Sequence, residues 1–284
     1  MNILLTANSR YLCAVKTVIY SLRQHTEREL NVFLFYDQMP LSELKNLQRY
    51  MQKKCRAALT GYQVKEAFFS SLQMRDHFSP IVYYRLIAQE LLPETVSRIL
   101  YLDVDLIVNG NIDAFYDTDF QGKDIVACEN RGDTLLHKNR LGLSADSHYM
   151  NAGVLLLNIE HIRKTMSSER VIDCIQKHLE VLEWYDQDVL NILYETRMLS
   201  CEDMNYNFQT SARIYNREEL KKILGNAKII HFAGSLKPWM KGYIGNLGKS
   251  YYRLLWKSGM RLMSVKLSVY NTLKRWLWRV TGKE

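Results

Sequence analysis

Three Asp-x-Asp pairs occur in the chain, and their surroundings differ. Asp117-Thr118-Asp119 lies in a polar stretch and reads as solvated loop. Asp186-Gln187-Asp188 precedes Val189-Leu190-Asn191-Ile192-Leu193, so capping of a helix N-terminus is its plainest use. Asp103-Val104-Asp105 follows Arg98-Ile99-Leu100-Tyr101-Leu102 and precedes Leu106-Ile107-Val108, which sets two carboxylates at the end of a buried strand. Unpaired charges there cost several kcal/mol each, and no basic neighbour in sequence offsets them. A period of two points both carboxylates to one side of the strand, which suits a hard divalent cation such as Mn²⁺ or Mg²⁺ that also coordinates phosphates. A structural ion pair is the competing reading.

Two further segments have suitable chemistry. His231 ends the apolar run Ile229-Ile230 and opens Phe232-Ala233-Gly234-Ser235-Leu236-Lys237-Pro238-Trp239. Its imidazole is a good third ligand for Mn²⁺, Gly234 allows close backbone approach, and Lys237 supplies a point charge for a diphosphate. The bland alternative is a histidine at a strand end before a turn. Asn151, before the apolar Val154-Leu155-Leu156-Leu157, is either a donor to sugar hydroxyls or a turn residue.

The elements that would position these groups alternate in type. Strand-length apolar runs fall at Asn2–Thr6, Val32–Tyr36, Ile99–Leu102, Ile125–Ala127, Gly153–Leu157 and Lys228–Ile230. Helix-period segments lie between them at Leu12–Gln24, Ser42–Lys54 with Ser42 as cap, Tyr83–Leu92, Ile162–Leu182 and Val189–Tyr194. This order predicts an α/β fold on a mostly parallel sheet, with ligands beyond the carboxyl ends of the strands. No linker or repeat breaks residues 1–248, which are expected to form one domain followed by a tail at 249–284.

Four motifs in order, Tyr-Leu-Asp-Val-Asp at 101–105, Asn-Ala-Gly-Val-Leu-Leu-Leu-Asn at 151–158, Tyr-Asp-Gln-Asp-Val-Leu-Asn at 185–191 and His-Phe-Ala-Gly-Ser-Leu-Lys-Pro-Trp at 231–239, resemble the family 8 retaining glycosyltransferases. The similarity runs from residue 1 to about 240 and is greatest to bacterial galactosyl- and glucosyltransferases of cell-surface glycans. It implies a GT-A, Rossmann-like nucleotide-sugar-binding domain, a UDP-hexose donor, a glycan acceptor, and Mn²⁺ on Asp103, Asp105 and His231. By motif, Arg85 would face the sugar and orient Asp103, and Asn151, Ala152, Gly153, Asp186 and Gln187 would line the hexose. Val104 lies between the two acidic ligands, while His77, Gly234 and Lys237 would lie against the diphosphate. Thr6, Ala7 and Asn8 would meet the uridine, although the family usually carries Ala-Asp-Asp-x-Tyr where this chain reads Ala7-Asn8-Ser9-Arg10-Tyr11.

The implied catalytic residues are Gln187, Asp186 and Arg85. A neutral amide is a poor nucleophile, so retention is expected through attack on the leaving-group face, with Gln187 stabilising positive charge and Asp186 holding a sugar hydroxyl. A metal-dependent nucleotidyl- or phosphoryltransferase would also place paired aspartates at a strand end, and a non-catalytic sugar-binding protein is the third reading. Neither accounts for all four motifs.

The charge of the chain is lopsided. The net charge of +8 lies in residues 249–284, because residues 1–248 hold 29 basic and 29 acidic side chains. A neutral body argues against nucleic acid, and a basic tail suits an anionic membrane surface. Within the tail, Met263, Leu267, Tyr270, Leu273, Leu277 and Val280 recur at helical spacing opposite Ser264, Ser268, Asn271, Arg275 and Arg279, as in an interfacial amphipathic helix. The rival is a helix packed on the body. No apolar run approaches the ~20 residues of a membrane span, no signal peptide is evident, and five cysteines form an odd set without C-x-x-C. The expected location is cytoplasmic, peripheral to the inner face of the cell membrane.

Overall fold

In Asn2–Thr6 (β1), Ile3, Leu4 and Leu5 are all buried, because a strand inside a parallel sheet is covered on both faces. Leu4 joins one core with Tyr101 and Leu155, while Ile3 and Leu5 join another with Leu100 and Leu156. The computed structural model describes residues 1–64, 69 and 80–281, with side chains as far as Trp278 in the last helix.

The other strands are β2 (Leu30–Tyr36), β3 (Ala57–Gln63), β4 (Arg98–Leu102), β5 (Leu106–Val108), β6 (Ile125–Glu129), β7 (Met150–Asn158), β8 (Met198–Ser200), β9 (Phe208–Thr210) and β10 (Ile229–Phe232). Seven form a sheet in the order β3-β2-β1-β4-β7-β6-β8. Only β7 runs against its neighbours, so the sheet is mostly parallel, as expected. A second sheet, β5-β10-β9, pairs Leu106 with His231 and His231 with Gln209. The chain passes from the large sheet to the small one between β4 and β5. The three residues that make this crossing are Asp103, Val104 and Asp105.

β3, β5, β8 and β9 were not among the expected strands, since they are short or broken by polar residues and owe their form to pairing. Ser42 is not a cap: the Leu41–Tyr50 helix starts after Pro40, leaving Ser42 in its first turn. The 162–182 segment divides into Ile159–Thr165 and Ser168–His178, because Met166 is extended and the Ser167 side chain caps the second helix. The 83–92 segment is a 3-10 helix, Pro80–Ile87, followed by one short turn, Ala88–Leu91.

The tail forms two helices, Gly248–Lys257 and Arg261–Thr281, joined through Gly259, whose φ of 95° suits glycine. Tyr251, Tyr252 and Leu255 of the first share a core with Ile107, Ile230 and Phe232 of the small sheet. The second meets the body through its polar stripe. Ser264 Oγ donates to the Tyr252 carbonyl (2.7 Å), Asn271 Nδ2 to the Met240 carbonyl (3.0 Å) and Tyr252 Oη (2.8 Å), and Arg275 to the carbonyls of Ile244 (2.5 Å) and Gly245 (2.9 Å). The apolar row that faces away is Leu262, Val265, Val269, Leu273 and Trp276, between 47% and 69% exposed. Met263 and Leu267, expected on that row, instead pack on the body. No described helix is long and apolar enough to cross a membrane.

Candidate functional site

Asp103 and Asp105 lie between the two sheets, and β10 brings His231 against them. The three side chains offer ligand atoms within 4.8 Å of one another, with His231 Nε2 3.1 Å from Asp105 Oδ1 and 3.7 Å from Asp103 Oδ2. Gly153 makes room for this approach. A Cβ on Gly153 would stand 2.3 Å from His231 Cε1 and 2.7 Å from Asp103 Oδ2, closer than real contacts allow.

Hydrogen bonds settle which nitrogen of His231 faces the carboxylates. The backbone N–H groups of Gly153 and Ala152 donate to Asn151 Oδ1 (3.0 Å) and Gln187 Oε1 (3.1 Å), which fixes the oxygen end of each amide. Asn207 Nδ2 must then donate to Asn151 Oδ1 (2.9 Å), turning Asn207 Oδ1 towards His231 Nδ1 at 3.0 Å. Nδ1 therefore carries a ring proton, and Nε2 is the nitrogen that faces the two carboxylates. Asp105 Oδ1 is buried there without a hydrogen-bond donor. Two carboxylates and a ring nitrogen converging on one point are the donor set of a divalent cation, so the residues fit a metal whose histidine ligand is oriented by Asn207.

Charges around the cluster are balanced by fixed partners. Arg85, almost wholly buried in the Pro80–Ile87 helix, bonds Asp103 (3.0 Å), Asp186 (3.2 Å) and the Ala152 carbonyl (2.8 Å), and lies 4.2 Å over the Tyr101 ring. Burial pushes the Tyr101 phenol well up, so it donates to Asp103 Oδ1 at 2.6 Å as a neutral hydroxyl. Lys237 Nζ reaches Asp105 Oδ2 (2.5 Å) and the Phe232 carbonyl (2.8 Å). Burial also raises the Asp186 carboxyl to about 6, with Arg85 pulling it down and Asp103 pushing it further up. Three acids thus meet two fixed bases. A divalent cation would reverse the net sign and draw in an anionic leaving group.

Both acids of Asp186-Gln187-Asp188 lie in the first turn of the Tyr185–Tyr194 helix, and neither caps it. Asp188 is fully buried and ties down the residues before the helix, accepting from the N–H groups of Glu183 (2.8 Å) and Trp184 (2.9 Å) and from Arg140 (3.1 Å). Asp186 and Gln187 instead line a cleft of about 590 Å³ with Arg85, Asp103, Asn151, Ala152, Gly153 and Gly234. Asn130, on which Asn151 (3.1 Å) and Gln187 (3.4 Å) converge, and Arg131, Trp184 and Arg213 complete this wall.

The remaining candidates lie around the cleft. Thr6 Oγ1 is 3.2 Å from Tyr101 Oη, which ties the end of β1 to the Asp103 cluster. Ala7 is buried, and Asn8 Oδ1 accepts from the Arg10 N–H as the cap of a short 3-10 helix. Tyr11 meets Trp239 edge-on at 6.2 Å, joining the first strand to the 231–239 segment. Val104 is half-buried against apolar neighbours, and His77 lies outside the described residues. Asn207 and Asn130 escaped sequence reasoning, since one ends the short 3-10 helix Met204–Asn207 and the other sits in a loop, and each acts through partners distant in sequence. Asp117 pairs with Arg28 at the surface.

Comparison with known proteins supplies a family and a fold. The sequence model of glycosyl transferase family 8 matches residues 2–242. The glycosyltransferase GlyF of Streptococcus pneumoniae serotype 4 is 26% identical over 253 residues, 88% of this chain and 60% of that one. The lipopolysaccharide 1,2-glucosyltransferase of Escherichia coli K12 is 26% identical over 206 residues, 69% of this chain and 60% of that one. The chain therefore spans 60% of the length of these two curated relatives. A crystal structure of the galactosyltransferase LgtC with donor and acceptor sugar analogs superposes with a TM-score of 0.76 at 19% identity, covering 92% of this chain and 96% of that one. The fold is shared with it.

Proposed function

Because the chain belongs to glycosyl transferase family 8, we propose that it is a retaining, Mn²⁺-dependent hexosyltransferase. On this reading it moves galactose, with glucose as second choice, from a UDP-sugar to a glycan acceptor with an α linkage. The acceptor belongs to a cell-surface polysaccharide, a lipooligosaccharide or a glycoprotein glycan. The observation that carries the reading is the convergence of His231 Nε2 on Asp103 and Asp105, at the edge of a cleft lined by amides. The names of the relatives, a lipopolysaccharide glucosyltransferase and a galactosyltransferase, support the hexose and the glycan acceptor.

In the proposed reaction, Asp103, Asp105 and His231 hold the metal, which when bound withdraws charge from the diphosphate. Lys237 adds a fixed positive charge on the leaving side, and Gly234 lets the backbone come close to the phosphates. Thr6, Ala7 and Asn8 stand at the uridine end. Asn151 and Asp186 hold hexose hydroxyls, with Arg85 locking Asp186 and Asp103 in place. Gln187 Oε1 already accepts two hydrogen bonds, from Asn151 and Ala152, which makes it weaker still as a nucleophile. Its dipole is instead held rigid beside the anomeric carbon, where it stabilises developing positive charge while the acceptor attacks on the face the diphosphate leaves.

A panel of UDP-hexoses assayed for UDP release, with Mn²⁺ and with EDTA, tests this. Metal-dependent release with at least one donor is expected, and an α signal from the anomeric proton of the product. Release of hexose 1-phosphate in place of UDP would favour the nucleotidyl- or phosphoryltransferase, and binding without turnover a sugar-binding protein.

The reading extends to location: cytoplasmic, held peripherally at the anionic inner face of the cell membrane. Support comes from five free cysteines and from the outward apolar row of the Arg261–Thr281 helix within a basic tail.

A further inference from the structure

A second cavity, of about 750 Å³, opens beside the cleft and shares Ser211, Arg213 and Gly234 with it. The Arg261–Thr281 helix forms one wall through Lys274, Leu277 and Trp278, and Leu236 and Ile244 add apolar surface. The wall is fixed in place. Asn271 accepts from the Gly242 N–H (2.9 Å), and Arg275 bonds the carbonyls of Ile244 and Gly245, so the helix is pinned to the loop that lines the same cavity.

Leu236, Leu277 and Trp278 remain 41%, 45% and 36% exposed around this space, an unusual grouping of large apolar side chains for a surface exposed only to water. Arg213, which also pairs with Glu219 at 3.2 Å, and Lys274 are the charged groups of the lining. Apolar walls with two cationic heads suit an amphiphile whose hydrocarbon begins next to an anionic group. Helical geometry sets Leu277 between this cavity and the outward row that includes Leu273 and Trp276. A chain leaving the cavity past Leu277 would meet the face assigned above to the membrane.

We propose that this cavity is an acceptor subsite. It takes the hydrocarbon of a lipid-linked sugar, joined through a phosphate held by Arg213 and Lys274, while the sugar itself enters the amide-lined cleft. The proposal rests on the glycosyl-transfer reading and narrows its acceptor to one whose lipid anchor lies close to the sugar that is extended.

The test is binding of n-octyl phosphate and methyl phosphate to the full chain with Mn²⁺ and UDP present to fill the donor side, read by titration calorimetry below the micelle concentration. Octyl phosphate is expected to bind at least tenfold more tightly, since each buried methylene favours the complex. Leu277→Gln, or independently Leu236→Gln should the first variant not fold, brings the two ligands to within about threefold. Leu273→Gln, on the outer row, keeps the tenfold preference. Equal binding of the two phosphates by the parent chain would overturn the proposal. So would a preference lost in Leu273→Gln and kept in Leu277→Gln and Leu236→Gln, which would assign the hydrocarbon to the outer face. Failure of the transferase reading shows separately, as absence of UDP release from every UDP-hexose, and leaves the phosphate titrations standing.

Discussion

The cleft and the C-terminal helix both bury polar side chains, and they differ in what is left unmet. At the cleft the buried groups are charges: Asp103, Asp105 and Asp186 meet only Arg85 and Lys237 as fixed cations. At the helix the buried groups are Ser264, Asn271 and Arg275, satisfied by backbone carbonyls of residues 240–252 and by Tyr252. The first arrangement leaves a need for positive charge, and the second leaves hydrocarbon facing outward. Each remainder specifies a different visitor, an ion in one region and an apolar surface in the other.

The comparison breaks first at the cleft. Asp105→Asn removes a ligand and one negative charge, so Mn²⁺-dependent UDP release should drop by about 10³-fold or more while the thermal melt is retained. Turnover within tenfold of the parent would remove the metal assignment.

At the helix the corresponding change is Asn271→Leu, which deletes three hydrogen bonds and leaves the Gly242 N–H, the Met240 carbonyl and Tyr252 Oη to find other partners. A loss of about 2–3 kcal/mol in urea unfolding is expected. Unchanged stability would mean that the polar face does not hold the helix down.

A pH series sharpens the contrast between buried charge and buried amide. With the Asp186 carboxyl raised from 3.8 to about 6, the folded state binds this proton more tightly than the unfolded chain. Its ionisation therefore costs stability, progressively from about pH 4 and fully above pH 6, on the order of 2 kcal/mol. In EDTA, Asp186→Asn should gain on the parent as pH rises from 4 to 7. A constant difference between the two melts over that range counts against the raised value.

The smallest effect is expected at the outer row. Leu273→Glu with Trp276→Glu should weaken co-sedimentation with anionic vesicles by about tenfold. Raised salt should weaken binding of the parent without erasing it, because apolar burial is not screened. Equal sedimentation of parent and variant would disconnect the outward row from lipid.

The cluster of Asp103, Asp105 and His231 was legible in the sequence because each stands at the boundary of an apolar run, and ends of strands in α/β sheets are where ligands gather. The crossing from β4 to β5 was not, since a three-residue strand such as Leu106–Val108 exists only by pairing with β10. Asn207 escaped for a related reason: its role depends on Asn151 and His231, both distant in sequence. The last helix shows a different limit. Helical spacing reveals that two faces exist, but the choice of inward face depends on what the docking surface offers. Here that surface is a loop of unpaired carbonyls, and it selected Asn271 and Arg275 over the apolar row.

The hydrogen bonds that run from His231 through Asn207, Asn151 and Gln187 to Asn130 all point one way, each residue accepting from the one before it and donating to the one after. On the proposed reading, a cation on Nε2 and a hexose against Gln187 would therefore act on one directional series. Thermodynamic reciprocity then requires that any factor by which metal changes the affinity for hexose is also the factor by which hexose changes the affinity for metal. Asn207→Ala cuts the series in the middle. Each ligand would still bind, and neither would report the presence of the other.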